Sequence, residues 1–208
     1  MLSVILHGFF LTLGLILPLG IQNIFIFNQG ASNKSFIGVL PSVITAAICD
    51  TFLILSSVLG VSLIVMELPL LQNGIFIFGF FFLLYVSYMT WVNAGNKIIT
   101  KTTPLSPKKQ ILFAASVSIL NPPAIIDTVT VIGTHSLHYE GNEKIAFVSS
   151  CICVSWTWFI SLAIAGRLIS KIDRDGKVIA YLNKISAIII LGVAMIIGKE
   201  IINMMYFS

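Results

Sequence analysis

The sequence predicts an all-α membrane protein of about six transmembrane helices, built as two inverted three-helix repeats with the first helix of each repeat broken at proline. Three observations lead there: the composition, the spacing of apolar runs, and a helix-breaking polar cluster in the first run of each half. The 208 residues are 57% hydrophobic and only 10% charged, with mean hydropathy +1.02. A soluble domain carries roughly 25% charged residues. A soluble fold of this size cannot hide so much apolar side chain, so lipid is the expected solvent. At roughly 20 apolar residues per crossing plus short loops, this length accommodates about six helices.

Span 1 runs from about Ser3 to Phe27 and holds no Asp, Glu, Lys or Arg. It lacks a basic leader and is too long for the apolar core of a cleavable signal, so it is expected to stay in the protein. Span 2, about Ile37–Met66, has Asp50 as its only charge. Span 3, about Leu70–Asn93, is uncharged, and span 4, about Ile111–Gly133, carries Asp127 alone. Span 5, about Ile145–Gly166, is uncharged. Span 6, about Tyr181–Asn203, has Lys184, Lys199 and Glu200 near its ends, where long side chains snorkel to the interface. Uninterrupted apolar runs of this length do not alternate as barrel strands must, so each is read as helix.

The 12 Lys and Arg cluster between these runs and read as topology signals, not as a nucleic-acid surface. Ten of them follow spans 1, 3 and 5: Lys34, Lys97, Lys101, Lys108, Lys109, Arg167, Lys171, Arg174, Lys177 and Lys184. Lys144 and Lys199 lie on the other side. The positive-inside bias therefore puts the loops after spans 1, 3 and 5 in the cytoplasm. The basic linker 94–109, with Pro104 and Pro107, divides a first repeat (1–93) from a second (110–208). Three spans is an odd number, so the repeats must insert in opposite orientations, as in inverted-repeat transporters.

Span 1 contains Pro18-Leu-Gly20-Ile-Gln22-Asn23, and span 4 contains Asn121-Pro122-Pro123 followed by Asp127 and Thr128. Proline removes a backbone donor and clashes with the preceding turn. The carbonyls it frees must be satisfied, so such a break faces protein or a wet cavity. The half-helix after the break offers free N–H groups and a positive dipole end; the half-helix before it offers free carbonyls. A zwitterionic amino acid needs both. One break alone is read equally well as a simple kink; two in corresponding places point to a binding site.

Asp50 and Asp127 each cost on the order of 2.5–3.5 kcal/mol to insert. No Lys or Arg in a span interior neutralises them. Their expected partners are a bound cation, a proton or a cationic substrate; the structural alternative is a neutral acid bonded to Thr45, Thr51 or Thr128. Trp156 and Trp158 are read as packing or lipid contacts before cation stacking. His7, His135 and His138 are read as surface residues near span ends, and Gly8, Gly14, Gly192 and Gly198 as points of close helix approach. The run Gly192…Gly198-Lys199-Glu200 has the wrong spacing for a phosphate loop and no Ser or Thr after its lysine, so no nucleotide engine is expected. Cys151-Ile-Cys153 is CxC and not the CxxC of dithiol relays, and no metal-ligand cluster is evident. No enzyme chemistry, cofactor or metal is expected.

At these residues the chain resembles the LysE family of amino-acid exporters, and within it the lysine- and arginine-exporting branch. The resemblance is carried by Leu17-Pro18-Leu19-Gly20-Ile21-Gln22-Asn23 with Asn28-Gln29-Gly30; by Ile48-Cys49-Asp50-Thr51; by Leu120-Asn121-Pro122-Pro123 through Asp127-Thr128; and by Ser155-Trp156-Thr157-Trp158-Phe159. It covers essentially the whole chain. Ile21 stands where the family usually has a second proline, so the bend there is expected to differ. The resemblance implies export from the cytoplasm across a bacterial plasma membrane, driven by proton antiport or the membrane potential, with a homodimer left open. Joined to the residue reading, it gives a secondary exporter of arginine or lysine. Pro18, Gly20, Gln22, Asn23, Asn121 and Pro122 would hold the α-carboxylate and α-ammonium. Asp50 and Asp127 would hold the side-chain cation, or one of them would carry a coupling proton. The alternatives are export of neutral amino acids or a metal cation on the same fold, and, less favoured, an intramembrane redox carrier using Cys151 and Cys153.

Overall fold

The computed structural model describes residues 1–17, 20–33, 35–60, 69–94, 105–173 and 177–207. Pro18, Lys34, Lys97, Lys101, Pro104 and Arg174 lie outside the described residues, as do most of the linker 94–109 and the expected end of span 2 at Met66.

The described residues are helical almost throughout. In chain order the elements are α1 (Leu2–Ile16), α2 (Ile21–Ser32), α3 (Leu40–Val58), α4 (Pro69–Ala94), α5 (Pro107–Ile119), α6 (Pro122–Asp127), α7 (Gly141–Ile172) and α8 (Lys177–Phe207). A 3-10 turn, Ile37–Val39, leads into α3, and α6 runs on through a π-helical segment, Thr128–Gly133, to Ser136. Proline sets several starts: Pro41, Pro107, Pro122 and Pro123 each sit in a first turn, where the missing N–H costs nothing.

Among the described residues, three helices are long and apolar enough to cross a membrane: Ile37–Val58, Gly141–Ile172 and Ala180–Ile202. Two bent pairs also qualify. α1 and α2 meet at 82°, and α5 meets the helix over Pro122–Ser136 at 61°. Counting each bent pair as one span gives five, with Phe76–Val92 of α4 as a shorter apolar helix. Both predicted interruptions are therefore real changes of direction. At the second, the tandem prolines cannot donate to the preceding turn, and Asn121 is pushed to φ −112°, ψ 82°, so α5 ends at Ile119.

The packing interleaves the two halves of the sequence. α1 and α2 both lie along α7; α5 and the π segment lie along α3; α4 pairs with α8, and α3 touches α7. Three apolar clusters follow from this. One joins Ile24, Leu83, Val117 and Ile190, a second joins Ile26, Val43, Ala114 and Phe159, and a third joins Val4, Ile54, Ile132 and Phe147. The tightest contact is between α2 and α7. A Cβ on Gly30 would fall 2.2 Å from the Ala163 carbonyl oxygen, and one on Gly166 would fall 2.0 Å from that of Phe27, so only glycine fits at either position. Of the glycines expected at close approaches, Gly8 meets α7 and Gly198 meets Phe80, but Gly14 and Gly192 face open space. Large apolar side chains such as Phe52, Phe78, Leu112 and Ile188 remain exposed on the outside, as lipid contact demands.

Candidate functional site

Both breaks open onto one cavity of about 280 Å³. Gly20, Gln22 and Asn23 line it from the start of α2, and Asn121, Pro123 and Ala124 from the start of α6. Asp50 reaches it from α3 and Asp127 from the end of α6. Thr12, Ile54, Phe159 and Ile190 complete much of the wall. Of the eight residues singled out in the sequence, six line this space. Pro18 lies outside the described residues. Pro122 does not line the cavity; it is fully buried, with its ring against Gly79 of α4, where the glycine leaves room for it.

The lining residues differ in what they have to offer. Asn23 is 4% exposed and already engaged: its Nδ2 donates to the Ile16 carbonyl at the end of α1 (2.7 Å), and its Oδ1 accepts from Trp158 Nε1 (3.2 Å). Gln22 Nε2 is buried with no hydrogen-bond partner among the described residues. It is a donor in search of an acceptor, and leaving such a group unmade costs about 1–3 kcal/mol. Gly20 is extended (φ −71°, ψ 172°) as the N-cap of α2. The N–H groups of Ile21 and Gln22 consequently have no acceptor within the helix. At the other break Pro122 and Pro123 carry no N–H at all, so α6 presents a positive dipole end with few donors.

The two acids are also unequal. Asp50 is half-buried and its Oδ2 accepts from Ser155 Oγ of α7. Asp127 is exposed, lines the cavity, and makes no hydrogen bond or ion pair with any described residue. The threonines weighed as their partners turn elsewhere. Thr45, Thr51 and Thr128 donate to the carbonyls of Pro41, Ala47 and Ala124, each one turn back along its own helix.

Several features here carry no signal in the sequence or differ from what it suggests. Ser155 carried no signal apart from its place in the Ser-Trp-Thr-Trp run. Neither Trp156 nor Trp158 is a pure packing residue, since each indole N–H bonds a polar group. The π segment brings Thr128 and Ile132 to the cavity, and such insertions recur at functional sites. The histidines are not solitary surface residues. His7 Nδ1 pairs with Tyr139 Oη at 2.7 Å, and the His7 and His135 rings meet edge-on at 5.1 Å, tying α1 to the segment after the π turns. Cys151 is buried on α7 and Cys153 exposed, two residues along one helix and so on different faces.

Against known proteins, the model of the LysE type translocator family matches residues 13–199. YisU of Bacillus subtilis (strain 168), by its name a candidate amino-acid transporter, is 51% identical over 200 residues, covering 96% of this chain and 91% of that protein. The arginine exporter protein ArgO of Pectobacterium carotovorum subsp. carotovorum (strain PC1) is 27% identical over 204 residues, covering 96% and 98%. The ArgO of Serratia proteamaculans (strain 568) is 26% identical over 199 residues, covering 94% and 96%. No solved structure matches.

Proposed function

The chain belongs to the LysE type translocator family, and from that premise we propose that this amino-acid transporter exports basic L-amino acids, arginine or lysine, from the cytoplasm of a bacterial cell. The observation that carries the reading is the convergence of two carboxylates and two helix breaks on one cavity. The α-carboxylate would sit at the start of α2, against the Ile21 and Gln22 N–H groups and Gln22 Nε2. The α-ammonium would face the carbonyl end of α5, on the Asn121 side, where the prolines leave acceptors in excess of donors. Asp50 and Asp127 would take the side-chain cation, or one would exchange it for a coupling proton. Asn23 would act indirectly, by fixing the break. The arginine exporters among the relatives support the choice of cargo.

The pairing of helices supports the inverted-repeat arrangement. Exchanging the halves maps α1 on α7 onto α5 on α3, α2 on α7 onto the π segment on α3, and α2 on α8 onto α6 on α4; α3–α7 and α4–α8 map onto themselves. The 26-residue α4, about 39 Å long at 1.5 Å per residue, would supply the sixth crossing. The ten-to-two distribution of Lys and Arg favours cytoplasmic loops after spans 1, 3 and 5.

The test is efflux from a bacterial strain lacking its own basic amino-acid exporters, loaded with arginine- or lysine-containing dipeptides. The chain should drain the freed arginine or lysine, and Asp50→Asn and Asp127→Asn should each cut that efflux at least about tenfold, the change expected on losing a charge-assisted contact, with protein still in the membrane. Undiminished efflux in both variants, or efflux of threonine and leucine instead, sinks the reading.

A further inference from the structure

One short stretch of α7 reaches three polar groups around the cavity. Ser155, wholly buried, donates its hydroxyl to Asp50 Oδ2. Trp156 Nε1 donates to Thr51 Oγ1, the neighbour of that acid, at 3.0 Å, and Trp158 Nε1 holds Asn23. α7 comes from the second half of the sequence, whereas all three acceptors come from the first. The helix thus fixes the acid and the broken span end relative to each other.

The consequence falls on Asp50. With Oδ2 already accepting from Ser155, one lone pair of that oxygen is taken and it is the weaker prong of the carboxylate, whereas neither oxygen of Asp127 is shared with a described residue. An ammonium group is a compact point charge whose donors single acceptors satisfy. A guanidinium is a planar fork that needs two parallel acceptors. We infer that Ser155 is a specificity-determining positioning residue: by sharing Asp50 Oδ2 it makes that acid the poorer two-pronged acceptor, as good for an ammonium as for one arm of a guanidinium, and leaves Asp127, among the described acids lining the cavity, as the one with two unshared oxygens for a guanidinium fork. This rests on the basic amino-acid reading above.

The experiment measures initial rates of arginine and lysine transport in proteoliposomes for the parent chain, Ser155→Ala, Ser155→Cys and Ser150→Ala. Freeing Asp50 Oδ2 of its competing donor strengthens the second prong and helps the forked cation most, so in Ser155→Ala the ratio KM(lysine)/KM(arginine) should rise by up to about tenfold, the fold-change of one full charge-assisted hydrogen bond. Ser155→Cys, near in volume and a weaker donor, should move it the same way and carries the test if the alanine variant does not reach the membrane. Ser150 sits on the same helix but donates to the Ile5 carbonyl, so its loss should leave the ratio alone. An unchanged ratio in the Ser155 variants, or KM values that move in proportion, overturns the inference while the exporter reading stands. A parent chain that moves neither substrate overturns the exporter reading itself.

Discussion

At the first break, Asn23 spends both ends of its amide on the protein: Nδ2 on the last turn of α1 and Oδ1 on the indole of Trp158. Replacing it by alanine strands the Ile16 carbonyl and the Trp158 N–H together in a buried place. Asn23→Ala should lower stability by about 1–3 kcal/mol, seen as an earlier melting midpoint of the purified protein in detergent. Trp158→Phe, which removes only one of the two bonds and keeps a six-membered aromatic ring in the partly buried place of the indole, should cost less, about 1 kcal/mol. Equal midpoints for both variants and the parent would mean that the break is held by something else. The sequence made Asn23 legible as a residue of the break, but not its role. A buried amide reads the same whether it meets a ligand or a neighbouring backbone, and only the crossing of α7 decides between them.

Among the elements, the bends and the close packing of α2 on α7 carry the architecture. The tandem proline at 122–123 was readable in advance because its effect is local: no N–H, and a preceding residue forced out of the helical region. The π segment was not readable, since Thr128 to Gly133 differ from ordinary helix only in how the turns close against α3. Gly30 and Gly166 were likewise indistinguishable from Gly14 and Gly192 without knowing which faces meet. They now separate cleanly. Gly166→Val should force α2 off α7 and cost about 3 kcal/mol, at the upper end of overpacking penalties, because the obstruction is backbone. Gly192→Ala meets nothing within 4 Å and should stay within about 0.5 kcal/mol of the parent. Thermal unfolding of the two variants in one detergent checks the contrast, and a Gly166→Val protein as stable as the parent would contradict the packing.

On the scale of the molecule, all-helical class, strong apolarity and the meeting of both breaks with both acids followed from composition, periodicity and proline. The partnership of helices did not, because it depends on contacts made across about a hundred residues of chain. The structure gives each broken span a seat on the second long helix of the opposite half: α1 and α2 on α7, α5 and the π segment on α3. A displacement of α1 and α2 as a body would therefore carry α7 along, so such a body draws on both halves of the sequence.

The interleaving has a consequence for how the chain can be assembled. A fragment ending in the linker has no α7, so the glycine-smoothed side of α2 would lie bare in the lipid with nothing to seat against, and the other fragment would lack the groove that α3 offers to its bent helix. Two plasmids, one encoding 1–100 and the other 101–208, should together restore a stable complex that purifies as a pair through a tag on either piece. Each fragment made by itself should be cleared by membrane proteases. The covalent joint between them acts as a tether, and the fold is completed by their mutual embrace.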